Sequence, residues 1–247
     1  MIRSYGISHV GRVRSNNEDS FAERPEMNLF AVADGMGGAH AGELASRITV
    51  DTLVNEISRL GGEAALDDLA RAVVRANHNV RNEAEERPEL SGMGTTVVAV
   101  LAETEKAYIA NVGDSRAYLL RDGRLELVTS DHSWVNEVGR GLGLSDDQLR
   151  THPYRNVLTK AVGAEDDLDV QRIEIDFVPG DLLLLCSDGL HGVTSETTVE
   201  RILQGEGSLE DKCRELVDVT LERGAPDNVT ALLIENMPGA QESAPER

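Results

Sequence analysis

Cysteine and aromatic residues are scarce in this chain. Its two cysteines, Cys186 and Cys213, show no paired spacing, which argues against a zinc cluster or a disulfide framework and leaves reduced, structural thiols as the expectation. Aromatic residues make up only 3% of the chain, yet apolar residues reach 40%, enough for the packed core of one sizeable domain. Basic residues are outnumbered, 24 Lys and Arg against 44 Asp and Glu, for a formal net charge of −20. No segment of the sequence gathers Lys and Arg, so a nucleic-acid partner is not expected. No apolar run approaches membrane-spanning length and the N-terminus lacks the apolar stretch of a signal peptide, so a cytoplasmic protein with no membrane partner is expected. No serine elbow or cysteine nucleophile signature is present, which points to water as the nucleophile of any hydrolysis.

Periodicity places the elements. Residues 2–10 and 28–33 read as strands, and the run Leu29-Phe30-Ala31-Val32-Ala33 stops at Asp34-Gly35, so a buried strand is expected to deliver Asp34 at its tip. Apolar residues recur at helical spacing over 41–60 and from Leu66 to Val80, with Pro88 as the stop. Short apolar and β-branched runs at 95–101, 107–112, 117–120 and 125–128 suggest an antiparallel meander, with Arg121-Asp122-Gly123-Arg124 as a hairpin turn. Residues 131–163 lose periodicity and read as an irregular insert over one face. Strands return at 170–178 and 182–186, joined by Pro179-Gly180, then helices at 195–203 and 209–222 and a last strand at 229–234. Strand runs with helix pairs, lacking a regular strand-helix-strand rhythm, indicate an α+β domain of antiparallel sheets covered by helices. The domain is expected to span 1–235, and the Pro, Gly, Ser and Glu-rich tail 236–247 to be disordered.

Against that background stand short acidic motifs: Asn17-Glu18-Asp19, Asp34-Gly35-Met36-Gly37-Gly38, Gly113-Asp114-Ser115-Arg116, Ser187-Asp188-Gly189 and Asp227-Asn228. Hard divalent cations such as Mg²⁺ or Mn²⁺ prefer carboxylate, carbonyl and water oxygens. Asp34, Asp188 and Asp227 each adjoin a strand and meet that need, and a glycine at 35 lets a backbone carbonyl come close to a cation. A lone Asp-Gly is ordinarily a turn, and Asp122-Gly123 is read as one. The glycine loop after Asp34 could also cradle a phosphate or cap a helix, but its acidic start suits metal better. Arg14 is the cation adjacent to these acids, and a guanidinium suits bidentate capture of phosphate, although a plain surface arginine is the simpler reading from sequence alone. His40, His132, His152 and His191 have no partner at ligand spacing and are read as surface or packing residues.

As an ordered set, Arg14 with Asn17-Glu18-Asp19, the loop from Asp34 to Gly38, Asn111-Val112-Gly113-Asp114-Ser115-Arg116, Asp131-His132-Ser133, Cys186-Ser187-Asp188-Gly189 and Asp227-Asn228-Val229-Thr230 resemble the metal-dependent protein phosphatase family, type 2C, in its bacterial branch. The resemblance implies a four-layer αββα sandwich, two antiparallel β-sheets flanked by helix pairs, with two Mn²⁺ or Mg²⁺ ions at one end. It implies hydrolysis of phosphoserine and phosphothreonine in proteins by a water or hydroxide between those ions, with Arg14, Asp34 and Asp188 as the catalytic set. By position Asp34 resembles the bridging carboxylate, Asp188 and Asp227 ligands to one ion, and Gly35 a carbonyl ligand to the other. Glu18 and Asp19 match supporting positions, Arg14 the phosphate-binding arginine, Asp114 a residue that helps hold a weak third ion, and residues 131–163 a flap beside the active site. The sequence departs from the pattern twice. Gly192 stands where relatives often carry a further Asp, which puts the third ion in question, and Met36 stands where eukaryotic relatives carry a His that serves as general acid. A monomer acting on phosphoproteins and opposing a serine/threonine kinase is the implied setting. The alternatives are a catalytically weak phosphoprotein-binding module of the same fold and a calcium-stabilised structural domain.

Overall fold

A computed structural model describes residues 1–237 of the chain, except 39, 62–63, 146–147 and 150. Alternation of small and β-branched side chains builds two antiparallel sheets. In the first, β2 (Asp19–Arg24), β3 (Leu29–Met36), β5 (Val97–Ala102), β6 (Lys106–Val112) and β9 (Gln171–Asp176) run in that spatial order, with β4 (Gly94–Thr95) pairing on the end of β3. In the second the order is β1 (Ile2–His9), β11 (Val229–Asn236), β10 (Leu182–Cys186), β7 (Arg116–Arg121) and β8 (Arg124–Leu127). The sheets face each other across Phe30, Val32, Val100 and Ile109 on one side and Leu183, Leu185, Leu232 and Ile234 on the other. Leu182 and Leu184, at alternate positions of the same β10, instead join the core beneath the outer helices, as a period of two demands of a strand buried on both faces. Each such leucine contributes roughly 1.5–3 kcal/mol by leaving water.

Two helix layers close the sandwich. α1 (Ala41–Ser58) and α2 (Leu66–Glu86) pack Leu53, Leu69, Val73 and Val80 against the first sheet. A short α3 (Asp188–His191), then α4 (Glu196–Gln204) and α5 (Leu209–Glu222), pack Leu190, Ile202, Cys213 and Leu216 against the second. The expected four-layer α+β architecture is borne out. Among the described residues no helix is long and apolar enough to cross a membrane.

The structure corrects several local readings. The stretch 95–128 is not one meander: β5 and β6 belong to the first sheet and β7 and β8 to the second, and the chain crosses between them at Gly113 to Ser115, with Gly113 at φ +97°. The β7–β8 hairpin does turn at Asp122 and Gly123, both at positive φ, the conformation that type I′ turns require. β3 does not end at Asp34 but continues to Met36, because Gly35 and Met36 pair with β4. Asn236, assigned to the tail, closes β11: it pairs with Ile2, and its amide nitrogen donates to the carbonyls of Thr104 and Phe177 at 2.9 and 2.6 Å. The rest of the expected tail lies outside the described residues. The described residues of 131–163 are largely irregular, with a π-helical turn at Val135–Gly139 and Trp134 stacked on His152 at 4.3 Å.

Candidate metal centre

One end of the sandwich collects the acidic motifs because strand register leaves them no other place. On the β2–β3 pair Asp19 stands directly opposite Asp34, a like-charge juxtaposition that a sheet does not adopt for stability. Gly35 follows on β3, where a Cβ would lie 2.1 Å from the Gly42 carbonyl oxygen of α1 and 2.7 Å from that of Glu18. Glycine is therefore required here by the approach of α1 and of the chain at Glu18 as well as by any carbonyl ligation. The Gly35 amide donates to the Glu18 carbonyl at 3.1 Å, and the Thr96 amide donates to the Asp34 carbonyl at 2.9 Å. In the second sheet, pairing of Cys186 with Ala231 sets the end of β10 beside the start of β11. Asp188 and Asp227, just beyond those two points, become neighbours. Gly189 permits this, since a Cβ there would lie 1.8 Å from the Asn228 carbonyl oxygen. Asp114 enters from the crossover between the sheets.

Arg14, Glu18, Asp34, Asp114, Asp188 and Asp227 line one cavity of about 700 Å³, together with Gly35, Met36 and, from the insert, Lys160. Burial, and then the charges of Asp19, Asp188, Asp114 and Asp227, hold the Asp34 carboxyl well above the usual range. Asp114 is pushed up to about 7 by burial first and then by Asp188 and Asp131. Burial and Asp227 also raise Asp188, while a hydrogen bond with Asp34 and the guanidinium groups of Arg14 and Arg116 favour its charged form. Asp34, Asp114 and Asp188 each keep partial access to the cavity, so they are ringed by protein yet wet on one side. Asp19 stands one strand behind, outside the cavity lining. Burial raises it to about 7 even though Ser187 Oγ and Thr230 Oγ1 donate to its Oδ2 at 2.7 and 2.6 Å. Its Oδ1 is buried with no hydrogen-bond partner.

Arg14 Nη2 donates to Asp227 Oδ2 at 2.7 Å, which raises the guanidinium further. The residue expected to bind phosphate and the residue expected to bind metal are thus paired with each other. Asp227 Oδ1 also accepts from the Asn228 amide at 2.9 Å. Among the described residues no three His, Cys, Asp or Glu side chains stand at spacing that could hold an ion: Asp227 is drawn toward Arg14 and Asp34 toward Asp188. The donor chemistry nevertheless fits hard divalent cations. Carboxylate and carbonyl oxygens line the cavity with neither thiol nor imidazole, their charges repel one another, and an orphaned carboxylate oxygen sits just behind them.

Several residues that organise the end of the sandwich were given no role by sequence reasoning. Asn228 Nδ2 donates to the carbonyls of Val10 and Asn16, both at 2.9 Å, while its Oδ1 accepts from the Glu18 amide at 2.8 Å; it fastens the N-terminal segment that carries Arg14 to the start of β11. Arg116 makes a two-pronged bond to Asp131 at 2.9 and 2.8 Å, anchoring the insert where it leaves the core. The His132 amide donates to the Gly113 carbonyl and its Nδ1 accepts from the Gly113 amide, a packing role as expected. Asn228 and Arg116 lie inside quoted motifs, and that membership was their only signal. Gly192, at the end of α3, offers no carboxylate.

The family model for protein phosphatase 2C matches residues 6–234. A serine/threonine phosphatase, stp, of Listeria welshimeri is 38% identical over 91% of this chain and 92% of its own length. The crystal structure of the Mycobacterium tuberculosis serine/threonine phosphatase PstP/Ppp superposes with a TM-score of 0.88 at 33% identity, over 96% of this chain and 99% of that one. A solved catalytic domain of PstP in complex with two manganese ions gives a TM-score of 0.85 at 33% identity, covering 95% of this chain and 97% of its own.

Proposed function

This chain belongs to the protein phosphatase 2C family, and on that premise we propose that it is a serine/threonine phosphatase that hydrolyses phosphoserine and phosphothreonine in proteins with divalent cations in its acidic cavity. The observation that carries the reading is the convergence of Asp34, Asp114, Asp188 and Asp227 with Arg14 on one cavity, from elements of both sheets. Uncompensated, those carboxylates would repel a phosphate group. The cations, Mn²⁺ or Mg²⁺, would be held by Asp34, the Gly35 carbonyl, Asp188 and Asp227, with Glu18 and Asp19 in support. When bound, two such ions supply an activated water and neutralise charge on the phosphoryl group.

The chain's own residues account for the rest. Arg14 sits half exposed at the cavity rim, and its guanidinium can exchange the Asp227 oxygen for phosphoryl oxygens of a docked substrate. Asn228 fixes the segment that carries it. Met36 lines the cavity but has no proton to offer a leaving alkoxide, so the leaving group is protonated from solvent. Asp114 is the residue that would help hold a third ion, and with Gly192 in place of a further carboxylate we assign that site weak occupancy. The reading extends to phosphoprotein substrates, a serine/threonine kinase as functional opponent, a monomeric state and the cytoplasm.

The test is a panel of phosphoserine, phosphothreonine and phosphotyrosine peptides assayed with Mn²⁺, with Mg²⁺ and with EDTA. Phosphate release from the first two peptides with metal, and none in EDTA, is expected. Turnover undiminished by the chelator would overturn the metal-dependent reading.

A further inference from the structure

Away from the acidic cavity, a cleft of about 650 Å³ between α1, α2 and β9 gathers four arginines, Arg59, Arg71, Arg75 and Arg172, against two carboxylates, Glu56 and Asp68. Arg71, Arg75 and His78 follow one another at the spacing that keeps them on one face of α2. Arg59, immediately past the end of α1, and Arg172, on β9, complete the rim, and Leu60 adds an exposed apolar edge. The cleft shares no lining residue with the acidic cavity.

Its guanidinium groups are under-used. Arg59 spends one nitrogen on Glu56 at 2.6 Å, Arg71 one on Asp68, and Arg172 approaches Asp67 at 3.9 Å. Each guanidinium carries five N–H donors, so most remain free. Arg75 and His78 make no hydrogen bond or ion pair among the described residues. An unpaired arginine among three others is a poor arrangement for stability, since the like charges repel. It is a good one for an anion that can accept several forked donors at once. A carboxylate offers two oxygens and is matched by a single guanidinium, whereas a phosphate monoester offers three and a charge near −2. The rest of the surface adds to the contrast: a chain of formal charge −20 repels acidic, phosphorylated proteins except where positive charge is gathered.

We propose that this cleft binds a phosphorylated segment of the substrate protein other than the one being hydrolysed. The inference rests on the phosphatase reading for the identity of the occupant. Anchoring at a second phosphate holds the scissile one at raised local concentration, so a doubly phosphorylated protein gains affinity without any change at the catalytic cavity.

The test separates the cleft from the catalytic site by working first in EDTA, where the acidic cavity has no bound cation and Arg14 is engaged by Asp227. Fluorescence anisotropy is measured with a labelled phosphothreonine peptide and its unphosphorylated counterpart, on the wild type and on Arg75→Glu, Arg75→Gln, Arg172→Glu and Arg14→Ala. The phosphopeptide is expected to bind the wild type and Arg14→Ala alike, to weaken at least tenfold with Arg75→Glu and Arg172→Glu, and to weaken less with Arg75→Gln. Mn²⁺-dependent hydrolysis of p-nitrophenyl phosphate should stay within twofold of wild type in the cleft variants, which shows that they are folded. With a doubly phosphorylated peptide, KM should rise in those variants while kcat holds. Equal binding of the unphosphorylated peptide, affinity lost with Arg14→Ala but kept with Arg75→Glu, or self-association of the chain through this face by sedimentation would each overturn the proposal. Wild-type protein that binds the phosphopeptide through Arg75 yet never turns over the aryl phosphate would overturn the phosphatase reading and with it the substrate as occupant, whereas turnover without cleft binding would overturn the cleft alone.

Discussion

Asp34 shows most directly how a residue can cost stability and be kept for chemistry. Its carboxyl is held well above the usual range by burial and by four neighbouring aspartates, so ionising it without a cation is unfavourable. Asp34→Asn removes the charge and keeps the shape. In EDTA the variant should melt at the same temperature as the wild type or higher, each kcal/mol gained being worth about 2–4 °C in a chain of this size. It should also lose the melting shift that Mn²⁺ gives the wild type, and phosphopeptide turnover should fall by at least about 10²-fold. A lower midpoint in EDTA with the Mn²⁺ shift intact would remove Asp34 from the proposed centre. Arg14 behaves differently because its partner is Asp227 at 2.7 Å. Arg14→Ala should raise KM for phosphopeptides about tenfold and leave Mn²⁺ affinity by calorimetry unchanged or tighter, since Asp227 is released; a parallel loss of metal binding would contradict the assignment. Asp34, Asp188 and Asp227 were legible in the sequence because each adjoins an apolar strand. The Arg14–Asp227 bond and the work of Asn228 were not, because they join positions more than two hundred residues apart, and nothing local marks them.

At the scale of elements, the joint between β3 and α1 decides how close the helix comes to the centre. A Cβ on Gly42 would lie 2.8 Å from both the Gly35 carbonyl carbon and the Met36 nitrogen. Two effects of opposite sign meet at this position. Alanine in a helix is better than glycine by roughly 1 kcal/mol, whereas prising apart a close backbone contact costs about 1–3 kcal/mol. The contact is to the backbone of β3, held by its pairing with β4, so it cannot yield as a flexible side chain would, and the clash should win. Gly42→Ala is therefore expected to destabilise the protein by about 1–2 kcal/mol in urea unfolding and to weaken Mn²⁺ binding through displacement of Gly35. A net gain in stability would show that α1 does not press on β3 in this way. Periodicity located most strands and helices but missed β2, which carries Asp19, and the two-residue β4, and a period of two says which face a residue takes and not which strand lies beside it. That is why the crossover at Gly113 to Ser115 was invisible and β5 to β8 read as one meander. α3, four residues long, is too short for any helical period to register.

Over the whole molecule the carboxylates couple folding to pH, and the sign can be worked out. Asp19 and Asp114, pushed up to about 7, and Asp34 and Asp188, also raised, bind more protons folded than unfolded in the range above their unfolded pKa of about 4. Their contribution to stability is complete below that value and falls as pH rises above it, that of Asp19 and Asp114 being lost through about 7. His191 and His132 oppose them: burial pulls His191 down to about 4 and lowers His132 as well, so both cost stability as pH falls below about 6.5. Four carboxyls against two imidazoles leave the carboxyls in control. The thermal midpoint in EDTA should therefore fall between pH 5.5 and 8. General repulsion in a chain of charge −20 adds to the same slope only through its few histidines, since ordinary imidazoles lose their protons over this interval while ordinary carboxylates are already ionised at its start. Added salt discriminates further, since it screens exposed charges much more than buried ones; the slope should survive 0.5 M NaCl. Mn²⁺ should flatten or reverse it, because a cation binds only the deprotonated set and its binding free energy adds to folding. A midpoint in EDTA that climbs with pH over the same range would mean that Asp19, Asp34, Asp114 and Asp188 do not share one crowded field, and the proposed centre would lose its physical basis.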